Sequence, residues 1–208
     1  QLYYSPGAAS LVVHWMLIEL GLPYELKKLD LSKKEHKTPE YLALNPNGVV
    51  PTLVVDGVPM FEAAALITFL ADCKPEAGFA PELASLERGK YYQWMFFLAN
   101  TLQPPFRSWW YPEEAAGEAN SEASKEHARI KIESIFSMLH VHLATNGPYM
   151  LGEKISAVDF MLVMLMRWSR GMPKTALDYP HLANLANLLR ARPSWKTLYA
   201  EEGLEEWA

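Results

Sequence analysis

Apolar positions along this chain change their rhythm once. In residues 1–73 short apolar runs alternate with helical spacings, and beyond them only helical spacings remain. Leu2-Tyr3-Tyr4 is a strand-length run, and Ser5-Pro6-Gly7-Ala8-Ala9 is a tight connection into a helix that starts near Ser10. Leu11, Trp15 and Ile18 recur at helical spacing, and Gly21 and Pro23 supply the stop. A strand over 24–29, a polar stretch 32–37 and a short helix over 39–44 follow. The turn dipeptides Asn45-Pro46 and Asn47-Gly48 then lead into a run that opens at Pro51 and ends at Asp56-Gly57, a type I′ hairpin signal with 58–61 as the returning strand. Proline is tolerated at the first residue of a strand because its missing N–H is not needed by the ladder. Glu62 leads into an apolar helix over 63–72. The order is β-α-β-α-β-β-α.

Pro75, Gly78 and Pro81 make 74–81 a turn-rich linker, which divides the chain into a mixed α/β domain (1–73) and an all-helical domain (82–208). Helices are expected over 82–102, 121–145, 157–170, 182–192 and 194–199, with Pro104-Pro105 breaking the first. Ser156 and Asp159 have the spacing of a reciprocal N-terminal cap, with Ile155 packing on Phe160. The acidic end, 201–206, reads as a solvated terminus.

At 208 residues, 50% hydrophobic and 21% charged, the composition is globular. A net charge of −5, with no run of more than two adjacent Lys or Arg, argues against a nucleic-acid partner. No apolar run reaches the ~18 residues of a membrane span and the first residues lack a signal-peptide pattern, so a cytoplasmic protein is expected. The single cysteine, Cys73, excludes an internal disulfide and a Cys-x-x-Cys pair; it is expected to be buried. The six histidines lack metal-ligand spacing, His140 and His142 falling on different sides of a helix, and no metal is expected.

Four stretches, in register and backed by a helical domain, carry a resemblance: residues 3–10 (Tyr3-Tyr4-Ser5-Pro6-Gly7-Ala8-Ala9-Ser10), 45–51, 62–66 and 156–159. Over its whole length the chain resembles the glutathione S-transferases, most of all the bacterial beta class. The resemblance implies a thioredoxin-like βαβαββα domain followed by a helical bundle, a homodimer, and glutathione as co-substrate with a small apolar electrophile. It implies a cis Val50–Pro51 peptide with the Val50 backbone pairing the cysteinyl unit, Glu62 and the Ala63 amide holding the γ-glutamyl end, and Lys34 near the glycine carboxylate, with His36 and Lys37 as substitutes.

At the thiol the chain departs from that pattern. Ala9 stands where the beta class has a cysteine, and Gln103 where it has a histidine. The remaining proton donors are Ser10, then Tyr4, then Ser5, helped by the positive end of the first helix. Ser10 has a competing role as N-cap. Gln103, Trp109 and Tyr111, with Trp110 and Arg167 or Trp168, are candidates for an electrophile pocket or for core packing. The rival readings are a partner protein that keeps the fold without performing transfer, and a glutathione-dependent disulfide reductase.

Overall fold

The computed structural model describes residues 1–207 as two compact units, residues 1–80 with 190–207, and Pro81–Leu189. The first begins with β1 (Leu2–Tyr4), α1 (Ser10–Glu19), β2 (Leu26–Lys28) and α2 (Pro39–Leu42). It continues through β3 (Thr52–Val55), β4 (Val58–Phe61) and α3 (Ala63–Cys73). The sheet order is β2-β1-β3-β4, with β1 and β2 parallel and the other pairs antiparallel. Asp56 and Gly57 both have positive φ, 50° and 79°, as a type I′ turn requires.

Helix α1 is more apolar than its Leu11-Trp15-Ile18 stripe, with Val12, Val13 and Met16 also fully buried. The C-terminal helix, α10 (Pro193–Glu202), accounts for the second covered side. Trp15 meets Trp195 at 4.7 Å between ring centroids and donates from Nε1 to Ser194 Oγ at 2.9 Å. Arg192 and Ser194 both bond to Glu19. A helix that is apolar all round needs cover on two sides, so the last segment of the chain joins the first unit. The acidic end is therefore not simply solvated: Glu202 is 5% exposed.

The second unit holds α4 (Leu86–Phe97), α5 (Gln103–Trp110), α6 (Pro112–Ala116), α7 (Ser121–Asn146), α8 (Ala157–Trp168) and α9 (Pro180–Arg190). Pro104-Pro105 do not break the helical path. A π-helical segment, Leu98–Leu102, takes up the change, and the prolines fall in the first turn of α5, where a missing N–H costs nothing. Helix α8 is buried from Ala157 to Arg167, and Phe106, Phe136, Trp168 and Tyr179 form an aromatic chain. Asp159 accepts from the Ser156 N–H at 2.7 Å, as the reciprocal cap predicts, and also from Ser156 Oγ and the Met150 N–H. No helix among the described residues is long and apolar enough to cross a membrane, and none of their His, Cys, Asp and Glu side chains forms a metal-holding group.

Candidate active site

Sheet register brings the first-unit candidates to one place. Tyr3 pairs with Thr52, so the C-terminal end of β1 lies beside the N-terminal end of β3; Thr52 pairs with Phe61, so the end of β4 arrives there too. β2 runs parallel to β1, and the N–H of Leu29, just past its end, reaches Tyr4 O, which carries the 29–37 loop to the same end. The turn 5–9, Val50–Pro51, Glu62–Ala63 and Lys34 thus all belong to one edge of the sheet.

Each segment is fixed locally. The Val50–Pro51 peptide is cis. Its loop is held by side chains that the sequence analysis did not single out: Tyr41 Oη donates to the Val49 carbonyl at 2.6 Å and lies 2.7 Å from Thr52 Oγ1. Asn45 Nδ2 donates to the same carbonyl at 2.9 Å, and Asn45 Oδ1 accepts the Asn47 N–H. Burial pushes the Tyr41 hydroxyl above the usual phenol range, so it stays a donor. Gly48, at φ +58°, has no room for a Cβ, which would lie 2.9 Å from the His36 carbonyl oxygen. Val50 is 91% buried, yet its own N–H and C=O find no partner among the described residues. An unpaired peptide group of this kind offers a donor and an acceptor that a peptide-like ligand could pair with.

Glu62 has φ 75° and ψ 105°, a backbone state that a non-glycine residue adopts only at a cost of about 1–3 kcal/mol. It immediately precedes α3, and its side chain does not cap that helix, so the first amides of α3, Ala63 included, remain available to an anion. Lys34 is exposed, with φ 57°, and its ammonium has no partner among the described residues. Lys37 instead donates to the Asn47 carbonyl at 3.3 Å. The 29–37 loop is pinned by Asp30, whose carboxylate takes the Ser32 hydroxyl and the Ser32 and Lys33 amides. These bonds, the Ser32 hydroxyl first, hold Asp30 down to about 2.

At the thiol end the structure changes the order of the candidates. Ser10 is fully buried, and its one proton goes to the Ser5 carbonyl at 3.1 Å while Oγ accepts the Ser5 N–H at 3.2 Å. It is not an N-cap either; that position is Ala9. Ser10 therefore ties the turn together and has no proton left for a ligand. Tyr4 is 93% buried against His14, and burial followed by Glu202 and Glu201 raises its pKa. That acidic surrounding is unfavourable to a second anion. Ser5 is half-buried, its hydroxyl has no partner among the described residues, and the residue lines a cleft of about 530 Å³ with Pro6, Leu29 and Leu31 and the polar Lys28, Asp30, Ser32 and Glu35. Cys73 is exposed rather than buried, because α3 ends there with its side chain outward. Eleven residues of helix, about 16 Å, separate it from the sheet edge just described.

Gln103, Trp109 and Tyr111 lie in the second unit, on α5 and the residue that closes it. Gln103, Arg107 and Tyr111 follow one another a turn apart, and the Arg107 guanidinium lies 4.2 Å from the Tyr111 ring while binding Glu114 through two nitrogens. Tyr111 and Trp110 are 44% and 42% exposed. Trp109 and Arg167 are buried in this unit's own packing.

A four-stranded mixed sheet with a proline-led third strand, followed by a helical unit, defines a thioredoxin-like domain joined to a helical one. Residues 8–73 match the family model for the glutathione S-transferase N-terminal domain, and residues 100–202 that for the C-terminal domain. The chain is 32% identical over 189 residues to glutathione S-transferase GST-4.5 of Xanthomonas campestris pv. campestris, covering 89% of this chain and 88% of that protein. Among solved structures it is similar to a glutathione transferase from Methylococcus capsulatus, with TM-score 0.87 and 32% identity over 97% of this chain and 98% of the other. It is also similar to a sphingomonad glutathione S-transferase complexed with glutathione, with TM-score 0.85 and 29% identity over 98% and 99% of the two chains. The chain belongs to the glutathione S-transferase family.

Proposed function

We propose that this enzyme binds glutathione across the sheet edge and directs its thiolate at an electrophile on a small apolar molecule. The observation that carries the reading is the unpaired backbone of Val50, beside the cis peptide, at the same edge as the open N-terminus of α3 and the conformationally strained Glu62. Glutathione offers the complementary groups: a peptide unit for Val50, an ammonium for Glu62, a carboxylate for the Ala63 amide and a second carboxylate for Lys34. The Ser5 hydroxyl, in place of Ser10, donates to the thiolate, aided by the positive end of α1.

The exposed Val58, Phe61 and Phe69 on β4 and α3, at 59%, 37% and 38%, support a homodimer. Glutathione is an abundant cytosolic thiol, which suits a cytoplasmic location. Titration calorimetry with glutathione, followed by an aryl-halide conjugation assay, tests the activity, and sedimentation tests the dimer. Saturable binding and conjugation above the uncatalysed rate are expected. Binding without conjugation would support the partner-protein reading, and absence of binding would refute the proposed site.

A further inference from the structure

The cleft that Ser5 lines, between the turn 5–9 and the loop after β2, has a volume of about 530 Å³, within the ~300–1,000 Å³ of small-molecule sites. Pro6, Leu29 and Leu31 give it an apolar surface. Its polar lining divides by what is already engaged. Asp30 accepts the Ser32 hydroxyl and the Ser32 and Lys33 amides through one oxygen, and the Lys33 ammonium lies 3.3 Å from the other. Ser32 has thereby given away its one proton. Glu35 accepts the Asp30 N–H at 2.7 Å. Both carboxylates are thus turned to donors of their own loop.

Two groups of the lining are unspent. The Ser5 hydroxyl and the Lys28 ammonium have no partner among the described residues, whereas the neighbouring Lys27 is bound by Glu25. Register places the two residues together: Lys28 pairs with Tyr4 across the parallel β1–β2 ladder, where strands lie about 4.8 Å apart, and Ser5 follows Tyr4. An ammonium only donates and carries a full charge. An apolar ligand without an acid group would strip water from it and return nothing, while a carboxylate on the same body pairs with it. Asp30 and Glu35 oppose an anion placed beside them, which confines the acid group to the neighbourhood of Lys28.

We propose that this cleft selects electrophiles that carry an acid group on a small apolar body, with Lys28 as the specificity-determining residue. Its ammonium pairs with the carboxylate, the apolar body lies on Pro6, Leu29 and Leu31, and the electrophilic carbon is left to the thiolate that Ser5 serves. The reaction at that carbon rests on the glutathione-transfer reading above; the preference for acids does not. With an aryl halide, the thiolate's electron pair forms the sulfur–carbon bond, the carbon–halogen bond breaks, and halide leaves with its pair. The proton of the thiol has already gone to solvent.

The test compares two substrates that differ only in the acid group, 4-chloro-3-nitrobenzoate and its neutral amide, 4-chloro-3-nitrobenzamide. Each kcat/KM is divided by the uncatalysed rate with glutathione, which removes the difference in intrinsic reactivity. The wild type should prefer the benzoate about fivefold, the worth of a hydrogen bond to a charged group discounted for the exposure of Lys28. Lys28→Arg should keep the preference, Lys28→Gln should bring the ratio to about one, and Lys28→Glu should reverse it. A wild-type ratio near one would overturn the proposal and leave transfer standing. If Lys28→Gln lowers both substrates alike and raises the glutathione dissociation constant, the ammonium serves glutathione instead and the proposal falls. A binding arm uses 3-nitrobenzoate, which lacks the leaving group, with protein carrying nitrogen-labelled leucine. Saturable NMR shifts of the Leu29 and Leu31 amides are expected, with a dissociation constant about fivefold higher in Lys28→Gln. Absence of those shifts would overturn the site. Shifts that depend on Lys28, in a protein that conjugates neither substrate, would refute the transferase reading and leave the acid-selective cleft standing.

Discussion

Single residues at the sheet edge divide into those whose polar groups stay open in the proposed site and those that hold the edge in shape. Glu62 belongs to the first group, since its backbone is strained and its side chain neither caps α3 nor is buried. Glu62→Gln keeps the size and removes the charge; it should weaken glutathione binding by roughly 1.5–3 kcal/mol, the worth of a hydrogen bond to a charged group. An unchanged dissociation constant by calorimetry would take Glu62 out of the site. Ser5 and Ser10 are separated by their protons. Ser5→Ala should raise the pKa of the bound glutathione thiol by roughly one to two units, because each unit corresponds to 1.36 kcal/mol and a bond to a charged group is worth about 1.5–3. Ser10→Ala should chiefly lower the melting temperature, because it removes two bonds within the turn. The thiolate absorbance as a function of pH distinguishes them, and a larger thiol shift in Ser10→Ala would reverse the assignment.

At the scale of elements, two loops depend on buried side chains. The 45–52 loop hangs on Tyr41, whose hydroxyl serves both Val49 and Thr52. Tyr41→Phe leaves Thr52 Oγ1 and the Val49 carbonyl with Asn45 alone, and should cost about 1–3 kcal/mol of stability with a matching rise in the glutathione dissociation constant. Denaturant unfolding beside calorimetry checks both, and a loss of stability with full glutathione affinity would detach Tyr41 from the binding edge. The start of α8 hangs on Asp159, which burial, against its three hydrogen bonds, raises to about 6. Asp159→Asn keeps only one acceptor oxygen where two backbone N–H groups point, and should destabilise by about 2–3 kcal/mol. A native carboxyl near 6 takes up its proton before the unfolded one near 3.8 does, so the wild type gains stability relative to Asp159→Asn as pH falls. The gap should widen by about 1 kcal/mol between pH 7 and pH 5. A gap that narrowed instead would show that the donors, not burial, govern this carboxyl.

For the whole molecule, the return of the last segment to the first unit has the largest consequence. Trp195, Leu198 and Tyr199 are all buried, and each is worth on the order of 1.5–3 kcal/mol or more. Their sum is comparable to the entire stability of a typical domain, about 5–15 kcal/mol. A chain ended after Leu189 should therefore lose the cooperative unfolding of its first unit and bind no glutathione, as circular dichroism and calorimetry would report. A truncated chain that kept glutathione binding would show that α1 needs no second cover.

Much of this was legible in the residues. The βαβαββα order followed from short apolar runs set between helical spacings, and the hairpin from Asp56-Gly57, because strand, helix and turn preferences act over a few neighbours. The cis Val50–Pro51 peptide was legible through family resemblance, and the α8 cap through the spacing of Ser156 and Asp159. Other features were decided only by the tertiary structure. Ser10 stood where a thiol donor should be, but its proton had already found the Ser5 carbonyl, a choice set by how the turn closes. Tyr41 and Thr52 carry no local signal, since their bond spans eleven residues of chain and exists only once the loop is folded over. The acidic end looked solvated because charge is a local property, whereas Glu202 is buried by a partner, His14, 188 residues away. Sequence patterns specify elements through local preferences and the faces they must bury. Which distant side chain finds each buried proton, and which hydroxyl is left over for a ligand, is decided when those faces meet.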